Sequence, residues 1–405
     1  MSNTEYYERW KTLNNLVPLS RELSVTEFSE NSEDNLFKHL KLFNNDNAWN
    51  SYLYSIIHRG LLFDAKSWTG FQDCFYLNEN YYFLKEKLLE KVKKFDISSA
   101  YINYYQAIEL FCEGKKEQSI SLFSSLRGEG NFDLYGWDIG ARTCKPFSNS
   151  KIANATFKHK LEPIQLVYNA RIKTNNPTIL VTCDKRYYLA FRENIINSIV
   201  KNANCYTNVH FHLVDSNFDV KSSYLREKQR DDIGVAVSVE RTEIKDKAYY
   251  ASARFIRANE IIKLIDDNIL IMDADAYIHK PIQELFNYAI NYDLGLFDTR
   301  GPWGMVPWRK YWAGCMFIAK SKAGLQYATV LRNSHFYLWS YDNPNWWIDQ
   351  NAIYYAVNFV NQNAGKYKIQ QFRDFKEETG SFFPIKTGET YKLNTLREFD
   401  KNDIL

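Results

Sequence analysis

The sequence predicts an α/β domain preceded by an all-α region, and three observations lead there. Apolar residues recur at three- and four-residue spacing through residues 1–130. From 173 onward, short apolar runs alternate with amphipathic helical stretches, and the segment between the two regions keeps neither period. The expected division is therefore a helical domain over 1–130, a connector over 131–172 and an α/β domain over 173–405. A chain of 405 residues also exceeds the ~250–300 at which one hydrophobic core usually stops growing.

In the helical region "NLFKHLKLF", "WNSYLYSIIHRGLLF", "YYFLKEKLLEKVKKF" and "AYINYYQAIELFCEGKKEQSISLFSSL" each gather apolar residues on one helical face. The last reads as helix, turn at Gly114 and second helix, with Ala107 and Phe123 at packing positions, and is weakly similar to a tetratricopeptide hairpin. An irregular bundle is the alternative, since no second unit stands at the ~34-residue period such repeats require. In the connector, Gly, Asn, Ser and Pro are mixed with isolated apolar residues.

The first strand is the run Ile179 to Val181, passing through Thr182 and Cys183 to a polar turn and an amphipathic helix. "NVHFHLVD" (Asn208 to Asp215), "GVAVSVER" and "NILIMD" give three more strands, the last preceded by the helix "YASARFIRANEIIKLI". Such alternation implies a mostly parallel sheet covered on both faces, with ligands at the carboxyl ends of its strands. Asp184, Asp215, Asp273 and Asp275 all fall at or just after such ends.

Composition narrows the function. A net charge of +3, from 51 basic and 48 acidic residues, supplies no field for nucleic acid. The six cysteines (Cys74, Cys112, Cys144, Cys183, Cys205, Cys315) form no C-x-x-C pair, which points to free thiols in a reducing compartment. The start has no apolar h-region, and no run of ~18 apolar residues occurs, so a cytoplasmic protein is expected. The helical region is then available for a substrate, a protein partner or peripheral contact with the inner face of a membrane.

The segment "DNILIMDADAYIHKPIQELF" ends a buried strand on two aspartates. Alternate residues of an extended segment point the same way, so Asp273 and Asp275 are expected to face one side. Two neighbouring carboxylates repel, and a divalent cation between them is one remedy. Oxygen ligands favour Mg²⁺ or Mn²⁺. The bland alternative is a pair of turn or helix-cap acids.

In order, "ILVTCDKRYYLAFRENIINSI", "YASARFIRANEII", "ILIMDADAYIHKPIQELF", "YWAGCMFIAKSK" and "WWIDQNAIYYAV" resemble the successive blocks of GT-A-fold nucleotide-sugar glycosyltransferases, most closely family 8. The resemblance implies a GT-A α/β fold for the second domain and transfer of a sugar, with retention, from a nucleoside diphosphate sugar, by preference a UDP-sugar. The acceptor would be a glycan, lipid-linked glycan or protein, as in polysaccharide biosynthesis. It further implies that Thr182, Cys183, Asp184, Arg186 and Tyr187 border the nucleoside, that Arg254 reaches the sugar nucleotide, and that Asp273 and Asp275 hold Mn²⁺ or Mg²⁺. Ala274 would approach the ribose, Ala313 and Gly314 the donor sugar, and Asp349 and Gln350, with Asp275, the reacting centre.

The family places a further metal ligand, a histidine, in a tail segment H-x-x-G-x-x-K. Here "IKTGETYK" puts Ile385 at that position and Tyr391 where lysine would stand, with Lys386 and Lys392 each one residue further on. A cationic lysine does not ligate a metal, so these two are expected either to meet the diphosphate or to be ordinary solvated tail lysines. Six tryptophans (Trp303, Trp308, Trp312, Trp339, Trp346, Trp347) suggest stacking platforms for an acceptor glycan, against the alternative of loop packing, which is the expectation for Trp312 as it enters a strand. Two other functions share the D-x-D: a haloacid-dehalogenase-type phosphatase, and a non-catalytic adaptor carrying a degenerate transferase domain.

Overall fold

The computed structural model describes residues 40–62, 81–126, 140–141, 143–202, 204–214, 233–279, 281–299, 306–339, 347–362, 367–372, 385–386 and 392–396. Most of "NLFKHLKLF", together with Cys74, Asp215, Trp303, Trp346 and Tyr391, lies outside these residues. The chain divides into two compact units, one of 1–147 with 299–310, the other of 148–298 with 311–405.

The first unit is helical. Helix α1 (Asn47–Leu62) buries Leu53, Tyr54, Ile57 and Leu61 along one face, and α2 (Tyr81–Val92) buries Tyr81, Leu84, Leu88 and Val92. Helices α3 (Ser99–Cys112) and α4 (Lys116–Ser125) form the expected hairpin. The chain reverses at Gly114, whose φ of 77° suits a residue without Cβ, and Ala107 and Phe123 are fully buried.

The core of this unit also holds a polar chain. His58 joins Tyr54 at 2.7 Å and Tyr81 at 2.6 Å, Tyr81 donates to Glu109, and Lys85 donates to Glu109 at 2.6 Å. Although burial opposes it, hydrogen bonds from His58, Lys85 and Tyr81 hold the Glu109 carboxyl down to about 2.

Trp308, on the short helix Pro307–Lys310, belongs to this helical core. It is fully buried, with ring centroids 4.9 Å from Phe123 and 6.4 Å from Tyr104. A Cβ at Gly140 would come within 2.0 Å of its indole. The acceptor-platform expectation for Trp308 is therefore corrected: its ring is consumed by packing.

The second unit is built on one sheet. Its strands are β1 (Gln165–Ala170), β2 (Thr178–Cys183), β3 (Thr207–Val214), β4 (Ile233–Glu240), β5 (Ile269–Met272), β7 (Leu294–Leu296), β8 (Cys315–Ile318) and β9 (Ile369–Gln371), and β6 (Ala276–Tyr277) pairs separately with β10 (Ile385–Lys386). The order is β1-β4-β3-β2-β5-β8-β7-β9. Strands β4, β3, β2 and β5 are mutually parallel, while β1 and β8 run antiparallel to their neighbours. The α/β class is thus realised as a mostly parallel mixed sheet. Part of the expected connector is not linker at all, since β1 forms an edge of this sheet.

Every residue of β2, β3, β5 and β8 is buried, as expected where helices cover both faces. One face, with Ile179, Val181, Phe211, Met272 and Phe317, packs under α5 (Lys185–Asn202) and α8 (Ile282–Ala289). The other lies against α6 (Lys247–Ile256) and α9 (Lys322–Trp339). The single helix expected over 250–265 is two, α6 and α7 (Ala258–Ile265). They meet at Arg257, whose guanidinium reaches Glu240 on β4 and the Glu162 carbonyl.

Trp339 is buried in this unit beside Phe157 and Tyr249. Trp312 packs its ring near Phe297. Trp339 is therefore no open platform, and Trp312 packs against the core as its position at the start of a strand leads one to expect. Among the described residues, no helix is long and apolar enough to cross a membrane.

Candidate active site

Strand β5 is central, paired in parallel with β2 (Val181 opposite Met272) and antiparallel with β8 (Met272 opposite Cys315). Its end therefore opens between the exits of β2 and the start of β8. Asp273 follows directly, its N–H donating to the Gly314 carbonyl at 3.3 Å and its own carbonyl accepting from Ala276 at 3.2 Å. Ala274 and Asp275 form a turn rather than an extended continuation. The alternation argument for the two carboxylates fails for that reason, and each aspartate has its own cationic partner.

Asp273 accepts from Arg254 Nη1, and Arg254 Nη2 lies 3.6 Å from Asp349 Oδ2. The guanidinium, on the last turn of α6 and buried, also feels the charge of Asp275. Asp275, itself buried, has its Oδ2 3.1 Å from Lys392 Nζ. Lys392 stands in a helical turn over 392–396, its Nζ 5.4 Å from the centroid of the Tyr187 ring. Partial burial would lower the Lys392 pKa, but Asp275 and Tyr187 outweigh it and the net shift is upward, so the ammonium is charged.

The tail segment is anchored here by backbone pairing, Ile385 opposite Tyr277 and Lys386 opposite Ala276, immediately after the D-x-D turn. Lys392 is accordingly a partner of Asp275 and not a solvated tail lysine. The Lys386 side chain lies outside the described residues.

Asp349 sits in the first turn of α10 (Ile348–Asn361), entered through Trp347 at φ 79°, a conformation rare for a bulky residue and often kept at functional sites. Burial pushes the Asp349 carboxyl up, against the pull of Arg254 and of the Gln350 N–H, which donates at 2.8 Å. Gln350 is half-buried on the same turn.

Gly314 must be a glycine. A Cβ there would meet the Trp312 ring at 2.6 Å and Asp273 Oδ2 at 2.9 Å. Neighbouring Ala313 is buried.

At the exit of β2, Asp184 Oδ1 accepts the Tyr187 N–H at 2.8 Å and so caps α5. Thr182 is buried with its hydroxyl unpartnered among the described residues. The Cys183 side chain belongs to the core under α5, which leaves only its backbone for a ligand, and burial raises its thiol pKa far above the ordinary range. Arg186 is exposed.

The structure thus gathers Arg254, Asp273 and Asp349 into one ion-paired group and Asp275, Lys392 and Tyr187 into another, joined through the 273–276 turn. For a hard divalent ion, Asp273 and Asp275 are the appropriate oxygen donors. Among the described residues, no group of three or more His, Cys, Asp and Glu gathers around a metal position. An ion held by these two would take the rest of its ~6 ligands from water or from the oxygens of a bound ligand.

No family model and no curated protein matches the chain. Among solved structures it is similar to the glycosyltransferase GlyE of Streptococcus pneumoniae TIGR4, at 15% identity over 50% of this chain and 46% of that one, with a TM-score of 0.34. It is also similar to the bifunctional glycosyltransferase WbbM, at 12% identity over 58% of this chain and 46% of that one, with a TM-score of 0.34. A third is mouse xyloside xylosyltransferase 1, at 10% identity over 53% of this chain and 94% of that one, with a TM-score of 0.31. The match spans 46% of the length of the first two.

Proposed function

We propose that the protein is a glycosyltransferase that moves a sugar from a nucleoside diphosphate sugar to a glycan, lipid-linked glycan or protein acceptor. The observation that carries this reading is the ion-paired constellation at the end of β5, where Arg254 joins Asp273 and Asp349 while Lys392 joins Asp275 beside Tyr187. A carboxyl-end crevice of a parallel sheet is the usual ligand position in open α/β folds.

In this reading Tyr187 and Asp184 border the base, with Thr182, the Cys183 backbone, Arg186 and Ala274 around the nucleoside. Lys392 and Lys386 meet the diphosphate. Ala313, Gly314, Asp349 and Gln350 line the sugar. Cleavage of the bond between the anomeric carbon and phosphate oxygen leaves negative charge on the diphosphate, and in this reading the Lys392 ammonium, 3.1 Å from Asp275 Oδ2, offsets that charge. Arg254 holds Asp349 in place, and Asp349 orients the sugar hydroxyls.

Mn²⁺ or Mg²⁺ between Asp273 and Asp275 would supply Lewis-acid stabilisation of the same leaving group. Retention of configuration, a uridine base and a cytoplasmic site of action, with the helical unit reaching a partner or membrane surface, complete the proposal. The phosphatase reading is disfavoured because Asp273, which would be its nucleophile, is engaged by Arg254.

The test is a thermal-shift panel of nucleotide sugars with and without Mn²⁺, followed by nucleotide release in wild type and Asp275→Ala. A stabilising UDP-sugar, and slow divalent-dependent release lost in the variant, are expected. If no nucleotide shifts the melting temperature, the reading fails.

A further inference from the structure

Both aspartates of the D-x-D carry a protein cation. Arg254 is a fixture of this arrangement, buried and also close to Asp349. Lys392 is of another kind. It comes from the tail, its side chain is 19% exposed, and it reaches Asp275 with a single ammonium at 3.1 Å. A divalent ion on Asp275 and the ammonium therefore compete for one carboxylate. Building on the donor reading above, we propose that Lys392 is a resident counter-ion that excludes a divalent cation from Asp275 until a nucleoside diphosphate is bound, so that metal and nucleotide enter the site together.

The printed ion pairs support this order. Among the described residues, these pairs set Asp273, Asp275 and Asp349 against Arg254 and Lys392, so each carboxylate of the D-x-D already has a cation beside it. A bare ion would have two protein carboxylates, both already engaged, and no third protein ligand among the described residues. A diphosphate changes both terms. It brings further negative charge and oxygen ligands, and it offers the Lys392 ammonium a second anion within reach of its present position beside Tyr187. By linkage, the factor by which nucleotide tightens metal must equal the factor by which metal tightens nucleotide.

The experiment measures Mn²⁺ binding by the paramagnetic signal of the free ion, in full-length protein, with and without UDP. Wild type is expected to bind Mn²⁺ weakly alone and much more tightly with UDP. Lys392→Met, which keeps the side-chain length and removes the charge, is expected to bind Mn²⁺ alone about tenfold or more tightly than wild type. Its coupling factor with UDP is expected to shrink correspondingly.

Lys392→Arg should retain the weak Mn²⁺ binding, and adding Asp275→Asn to Lys392→Met should abolish the gain. Lys392→Gln serves as the second charge-removing variant if Lys392→Met fails to fold by circular dichroism. Unchanged or weaker Mn²⁺ binding after removal of the charge overturns the proposal, even where UDP still binds. Failure of wild type to bind UDP at any Mn²⁺ concentration overturns the donor reading instead.

Discussion

Arg254 Nη2 lies 3.6 Å from Asp349 Oδ2 while Nη1 of the same guanidinium donates to Asp273, so one buried cation ties the end of β5 to the first turn of α10. Removing it leaves two poorly solvated carboxylates facing each other. Arg254→Met is expected to destabilise the sheet unit by about 3–5 kcal/mol in urea unfolding. Adding Asp273→Asn should recover part of that loss, because it removes one of the orphaned charges; a purely additive double variant would contradict the pairing.

Gly314→Ala introduces a Cβ against Trp312 and Asp273. Overpacking of this kind costs about 1–3 kcal/mol, which a thermal melt will register. Because Asp273 Oδ2 is crowded along with the Trp312 ring, turnover of the stabilising UDP-sugar should fall by about 100-fold. Equal activity at matched folded fraction would count against Asp273 as a site residue.

The sheet unit should lose stability as pH falls below the ordinary histidine range. Burial, with the neighbouring His212, pushes His210 down to about 3, and burial, with Arg254 nearby, holds His335 at about 4, both from 6.5. Between 6.5 and these values the unfolded chain binds protons that the folded one refuses. Stability is therefore full above 6.5 and declines by about 1.4 kcal/mol per pH unit for each such histidine. Urea midpoints from pH 7.5 to 4.5 measure this slope, and His335→Leu should make it shallower by about one proton's worth.

Trp308→Ala should cost the helical unit about 3–5 kcal/mol. Amide exchange distinguishes this from a general effect, since protection in α3 and α4 should fall while that of β2, β3 and β5 persists. Unchanged protection in α3 and α4 would mean that Trp308 is not part of their core.

Much of this architecture was legible in local pattern. The runs at Ile179, Val209, Val235 and Ile269 are continuous because both faces of their strands are covered, and helical spacing marked α1 to α4. Strand direction was not legible. Nothing in "CMFI" says that β8 runs antiparallel to β5, since pairing depends on the path of the intervening chain. The same limit explains the site. Arg254, Asp273, Asp349 and Lys392 could be nominated one by one, but which carboxylate each cation takes depends on the turn at 274–275 and on the pairing of β10 with β6. It also explains Trp308, whose short segment is flanked on both sides by the α/β unit while its packing partners Tyr104 and Phe123 lie far upstream.

The helical unit takes Trp308 from a segment that follows seven strands of the sheet unit among the described residues. During synthesis, N-terminal domains generally fold first, as soon as they leave the ribosome. Helices α1 to α4 emerge without the indole that packs on Phe123 and against Gly140, so the core of their unit is completed only once translation has passed residue 310. A fragment ending before Pro307 lacks this ring, and its helices should melt below those of the intact unit.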